Sequence, residues 1–133
     1  MKQFFLQPAL LVFVGGGLGS VLRYGLGIWM PMQPGERTFP IAILGANVLA
    51  SLVLGVVAGA VANRLMSQDL RLLLGVGFCG GLSTFSTFSV DTLVLLQQGR
   101  AGAALLNVGL NIAGCLLASA AGFWIVTANQ SSI

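Results

Sequence analysis

The sequence has no histidine and only three acidic residues, Glu36, Asp69 and Asp91. Histidine triads and histidine-based metal sites are therefore excluded, and little is left for carboxylate catalysis. The serines and threonines have no histidine or nearby lysine to activate them as nucleophiles, so an enzyme is the poorest reading. Charge is scarce altogether, at 7% of residues. The six basic residues are scattered and give a net charge of only +3, which is no nucleic-acid footprint. Cys79 and Cys115 both lie inside apolar runs and read as small buried residues, not as a disulfide framework.

What is present is hydrophobicity. With 56% apolar residues over 133 positions, the chain reads as an integral membrane protein forming one domain, 1–133. Four stretches, roughly 5–30, 39–62, 70–97 and 101–127, reach the length of about 20 residues that crosses about 30 Å of hydrocarbon. The expected fold is an all-α membrane protein, an antiparallel bundle of four transmembrane helices joined by short loops. Breaks fall at Met30 to Arg37, at Asn63 to Asp69 and at Gln97 to Arg100. The first stretch is too long and glycine-rich for a secretory signal and runs straight into more apolar chain.

The third stretch carries the chemistry. Residues 79–91 place hydroxyls, two glycines and a carboxylate inside an apolar run, where each unpaired polar group costs several kcal/mol unless it finds a partner or lines a wet cavity. Spacings of three bring Phe85 and Phe88 onto one helical face, with Thr84, Thr87 and Asp91 on an adjacent stripe. Gly80-Gly81 has low helix propensity, so the third helix is expected to break near it. Carbonyls freed at such a break can hold a small cation; the competing reading of the glycines is close helix packing.

The other segments add polar positions. Gly15-Gly16-Gly17-Leu18-Gly19 lacks the strand and the Lys-Ser/Thr of a phosphate loop and reads as a packing surface. Arg23, two-thirds along its span, either snorkels to the interface or holds open a wet vestibule that attracts anions. Asn47 alone reads as interhelical glue, and Gly55 with Gly59 as a Gly-x-x-x-Gly packing face. Asn107, Asn111 and Cys115, four apart, make one polar stripe. Together with the third segment, that stripe could offer an ion a track of donors as it sheds water.

Lys2, Arg64 and Arg71 lie on one side of the membrane, and Arg37 and Arg100, with Arg23 near them, on the other. That parity sets no orientation. Two copies inserted in opposite senses could close into an antiparallel dimer about a two-fold axis in the membrane plane.

The string Gly15 to Tyr24 with its Arg23, the lone Asn47, and above all Gly80-Gly81-Leu82-Ser83-Thr84-Phe85-Ser86-Thr87-Phe88-Ser89 with an acid at 91 resemble the small bacterial Fluc (CrcB) fluoride channels over essentially the whole chain. The resemblance implies a dual-topology homodimer in the inner (cytoplasmic) membrane with two fluoride pores. It also implies a structural, untransported sodium ion at the dimer centre, on the backbone carbonyls of Gly80 and Ser83 from both subunits. Phe85 and Phe88 match the pore phenylalanines, Asn47 the pore asparagine, and Asn107, Asn111 and Cys115 the polar track, with Ser86, Thr87 and Asp91 beside them and Arg23 at the vestibule. The implied role is passive fluoride exit that lowers cytoplasmic fluoride.

Asp91 stands where relatives carry Glu, and Ile43-Leu44 where they carry a hydroxyl-bearing pair. The carboxyl is either a neutral donor in the pore or an ionised group shaping it from outside. Fluoride is small and tightly hydrated, so a pore must replace its water with close amides, hydroxyls and the positive edges of aromatic rings. Two rivals remain. A small multidrug-type exchanger would want a carboxylate in the first helix, and a non-conducting assembly subunit would show no fluoride flux.

Overall fold

The computed structural model describes residues 2–30 and 39–128. Helix α1 spans Lys2–Trp29 and α2 spans Ile41–Ala62. The third span, Gln68–Gln97, is assembled from pieces: α3 (Gln68–Leu70), a π-helical stretch (Arg71–Cys79), α4 (Gly80–Leu82) and α5 (Phe85–Gln97). Helix α6 spans Ala101–Ala128. All four spans are long and apolar enough to cross a membrane. Of the expected Met30-to-Arg37 break, only Met30 falls among the described residues.

The ends of these elements follow local chemistry. Ser67 caps α3, its hydroxyl accepting from the Leu70 N–H at 3.3 Å. At the other end of the third span the chain reverses through Gly99 at φ +73°, a left-handed conformation that only glycine adopts without strain. Gln7 on α1 donates to Asp69 at 3.5 Å, which puts the start of α1 and the start of the third span on the same side of the membrane.

In lipid, helices gain nothing from hiding apolar surface from one another, so they associate by close backbone approach. Glycine supplies that approach here. Helix α1 lies against the π-helical stretch and α4. A Cβ at Gly15 would strike the Leu73 carbonyl, one at Gly19 the Phe78 carbonyl, and one at Gly81 the Gly16 carbonyl. Helix α2 lies along α6, where Gly55 meets Ser119 and Gly122 meets Leu52 through their backbones. The packing reading of the first glycine run is realised at Gly15 and Gly19, though not at Gly17, and that of Gly55 and Gly59 at both, Gly59 lying against the Phe123 backbone. The small core consists of Ala46, Ala50, Cys79 and Leu82, with Leu26, Val53 and Phe78 packed on it.

The glycine pair of the third span divides its roles. Gly81 is the close-packing residue, whereas a Cβ at Gly80 would meet nothing within 4 Å. Both stay helical. The break lies just beyond them, at Ser83 (φ −75°, ψ 153°) and Thr84 (φ −151°, ψ 115°).

Gly122→Ala is expected to lower stability by about 1–3 kcal/mol, because the added carbon meets α2 backbone that cannot rotate away. Gly109→Ala, on the same helix with open space around it, should be neutral or stabilising by up to about 1 kcal/mol. Thermal unfolding of the two variants in detergent separates these outcomes.

Candidate functional site

The break at Ser83 and Thr84 exposes backbone groups that an intact helix would have paired, and two other helices, α1 and α2, supply their partners. On the amide side, Thr84 N–H would have closed a turn on the Gly80 carbonyl. Instead it donates to Oδ1 of Asn47 at 2.8 Å, while Nδ2 of Asn47 reaches the Thr84 carbonyl at 3.4 Å. One carboxamide thus pairs with both backbone groups of one residue. The Thr84 hydroxyl then caps α5, accepting from Thr87 N–H at 3.2 Å and donating to the Thr87 hydroxyl at 3.0 Å. On the carbonyl side, Arg23 Nη1 donates to the Ser83 carbonyl at 3.2 Å and the Ser20 hydroxyl to the Gly81 carbonyl at 3.5 Å. The Asn47 carboxamide of α2, as acceptor and donor, and the donors of α1 therefore clamp the two ends of the interruption.

From Asn47 the bonding continues into α6. Its Nδ2 donates to Asn111 Oδ1 at 2.9 Å, and Asn111 Nδ2 donates to both the backbone oxygen and Oδ1 of Asn107 at 3.0 Å. Asn107 donates in turn to the Thr92 hydroxyl at 2.9 Å, which donates to the Phe88 carbonyl at 2.8 Å. Asn47, Asn107 and Asn111 are buried at 9%, 1% and 6% exposure, so each amide depends on these partners.

A cavity of about 250 Å³ opens beside this network, lined by Asn47, Ser51, Ser83, Thr84, Phe85, Phe88, Asn111, Ile112 and Cys115. The structure thus brings together Asn47, Phe85, Phe88, Asn111 and Cys115 from the sequence-derived set. The two phenylalanine rings lie 5.5 Å apart and tilted by 49°, midway between a stacked and an edge-on pair. The α5 N-terminus, the positive end of that helix's dipole, borders the same cavity through Thr84 and Phe85.

The remaining sequence-derived residues sit elsewhere. Arg23 and Thr87 border a second cavity, of about 470 Å³, with Ser20, Tyr24, Gly27, Ile28 and Ile43. Gly80 borders a third, of about 140 Å³, with Ala50, Ser51 and Leu54, and Ser83 borders both that cavity and the first. Asn107 joins the first cavity only through Asn111. Ser86 is exposed and within 3.2 Å of the Thr84 hydroxyl. Asp91 is half-buried and does not line the first cavity. Among the described residues, no group of three or more His, Cys, Asp or Glu side chains that could hold a metal ion occurs.

Three participants were missed by sequence reasoning as site residues: Thr84, the cap of α5; Ser51, on the cavity wall; and Thr92, which joins Asn107 to the Phe88 carbonyl. The signal for Thr84 was its position three residues before Thr87 at the start of a new helix, and for Thr92 its place two turns further along α5.

The geometry can be set beside known proteins. Residues 10–123 match the family model described as CrcB-like protein, Camphor Resistance (CrcB). A Klebsiella pneumoniae protein named fluoride-specific ion channel FluC is 50% identical over 117 residues, covering 86% of this chain and 89% of its own. A Salmonella arizonae protein of the same name is 45% identical over 125 residues, covering 92% and 96%. Bacterial outer membranes are spanned by β-barrels, and here four apolar helices do the spanning, so this is a multi-pass inner-membrane protein. With most of its length matched by the family model and by relatives at this identity, the chain belongs to the CrcB family.

Proposed function

We propose that the protein is a passive, fluoride-selective channel that lets fluoride leave the cytoplasm down its gradient. The observation that carries this reading is the cavity at the helix break, where a helix N-terminus, two buried carboxamides, hydroxyls and a tilted phenylalanine pair converge. Every one of these presents positive potential or a hydrogen-bond donor, and none is a fixed cation that would trap the anion. Conduction needs exactly such a site, favourable enough to enter and weak enough to leave.

The bonding of Asn47 sets how an anion would enter. Both of its N–H groups are already engaged, one with Asn111 at 2.9 Å and one with the Thr84 carbonyl at 3.4 Å. The longer bond is the one fluoride would displace. The carboxamide would then turn a donor to the ion and keep its oxygen on Thr84 N–H. Arg23, half-buried beside the second cavity, would raise anion concentration there and hold the Ser83 carbonyl in place.

The pore would be completed by a second copy in antiparallel orientation. Phe85 is 79% exposed on the single chain, and charge parity leaves insertion unbiased. A structural sodium ion would be held by the carbonyls of Gly80 and Ser83 from both copies. The fit is favourable: both residues border the small third cavity, and the Thr84 N–H that would have occupied the Gly80 carbonyl is taken by Asn47. The ion would offset the dipoles of carbonyls left without a helical partner at the break.

The test is efflux from potassium-loaded liposomes with valinomycin, read by a fluoride electrode and repeated with chloride. Rapid fluoride loss with negligible chloride loss is the expected result. No fluoride loss from a folded dimer would overturn the proposal in favour of a non-conducting subunit. The exchanger reading has little to rest on, since α1 carries no carboxylate.

A further inference from the structure

The hydrogen bonds beside the first cavity run in one direction. Thr84 N–H donates to Asn47, Asn47 to Asn111, Asn111 to Asn107, Asn107 to Thr92, and Thr92 to the Phe88 carbonyl. Backbone groups fix both ends: an N–H can only donate and a C=O can only accept. The Asn107 backbone oxygen fixes the middle as well, because Asn111 must turn its amide nitrogen toward it. With Asn111 so oriented, Asn107 accepts through Oδ1 and must aim its Nδ2 away, at Thr92.

We propose that Thr92 is a positioning residue of the anion pathway, whose hydroxyl terminates this one-way chain and, by fixing the Asn107 carboxamide, holds those of Asn111 and Asn47 in the orientation they present to the cavity. Thr92 does not line that cavity and acts through Asn107. Its hydroxyl is both acceptor and donor, which the position requires: Asn107 offers an N–H, and the Phe88 carbonyl requires one. Without it, Asn107, at 1% exposure, has a buried amide donor aimed at nothing. Relief comes by rotating the carboxamide, which withdraws Oδ1 from Asn111 and leaves Asn111 held by the Asn107 backbone oxygen alone, a looser hold on its orientation at the cavity wall. The chain begins and ends on α5, one residue before Phe85 and at Phe88 itself, so it also fixes the turn that carries the phenylalanine pair. Hydrogen bonds in such a sequence polarise one another, so loss at one end is felt at the other.

The inference about fluoride rests on the channel reading, whereas the chain itself can be tested without conduction. Thr92→Val keeps the shape and removes the hydroxyl; Thr92→Ser keeps the hydroxyl. In the liposome assay, Thr92→Val is expected to raise the fluoride concentration for half-maximal flux by about 3- to 15-fold, the range of one interhelical side-chain bond in a membrane bundle. Thr92→Ser should return it close to the parent value, and Thr92→Val should add nothing further in an Asn107→Leu background. Half-saturation unchanged in Thr92→Val, or shifted equally in Val and Ser variants, would overturn the positioning role.

Independently of flux, a thermal-unfolding cycle pairs Thr92→Val with Asn47→Ala and, in parallel, with Asn111→Ala, so that one unstable variant does not end the test. Non-additive Tm shifts are expected, although Thr92 touches neither asparagine; additive shifts would overturn the chain. A parent protein that passes no fluoride while the cycle stays non-additive would sink the channel reading and leave the chain standing.

Discussion

Asn47→Leu is expected to abolish measurable fluoride flux and to destabilise the protein at the same time. The side chain makes three hydrogen bonds, two to the backbone of Thr84 and one to Asn111, and is buried at 9% exposure. Leucine is close in volume, so packing is nearly conserved and the loss is polar. It leaves Thr84 N–H and Asn111 Oδ1 without partners at membrane depth. Stranded buried groups of this kind cost about 2–4 kcal/mol together, or about 30- to 1,000-fold in an equilibrium. The broken helix has a way to recover part of it: Thr84 N–H can close back on the Gly80 carbonyl and straighten the third span. Straightening would remove both the free α5 N-terminus and the cavity that it borders, so flux falls further than stability alone requires. Liposome efflux and thermal unfolding on one preparation check the two effects together. A stable Asn47→Leu protein with normal flux would mean that the break does not depend on this residue.

The break is also where the sequence was least legible. Apolar length gave the four spans to within a few residues, because a bilayer imposes a minimum length that composition reports directly. The first glycine run was legible as packing surface for a similar reason, since lipid-embedded helices must approach through small residues. Gly80-Gly81 pointed to the right region, and the break falls just beyond the pair. Local propensity marks glycine as the weak point, yet Gly81 is helical and in close contact with Gly16, and the interruption begins two residues later, at Ser83. The N–H released there is held by Asn47, 37 residues away in sequence. No local pattern reports a partner at that distance. Arg23 shows the same limit: its depth in the span suggested an interface or a vestibule, whereas its partner is a carbonyl that is free only because the helix breaks at Ser83. Thr92 went unnoticed because threonine in an apolar helix ordinarily back-bonds to its own helix, and Thr92 does so; its second bond, to Asn107, is what distinguishes it.

Phe85→Ala is the converse case, where conduction should fall with almost no change in the folding of the chain. Phe85 is 79% exposed, and its intramolecular aromatic neighbour is Phe88, with ring centroids 5.5 Å apart. Such a pair contributes about 0.5–1.5 kcal/mol, and exposure places the loss at the lower end. If the ring edges replace water around fluoride, however, each contact to a nearly bare ion is worth about 1.5–3 kcal/mol, and its loss slows passage by about 10- to 150-fold. Exposed aromatic surface that does nothing for the fold of a single chain is there for the ion, for lipid or for a second copy. Liposome flux, thermal unfolding and sizing of the detergent complex distinguish these. Reduced flux with unchanged Tm and unchanged size assigns the ring to the ion path. A shift to smaller particles assigns it to the contact between copies, and no change in any of the three leaves it facing lipid, outside the pathway.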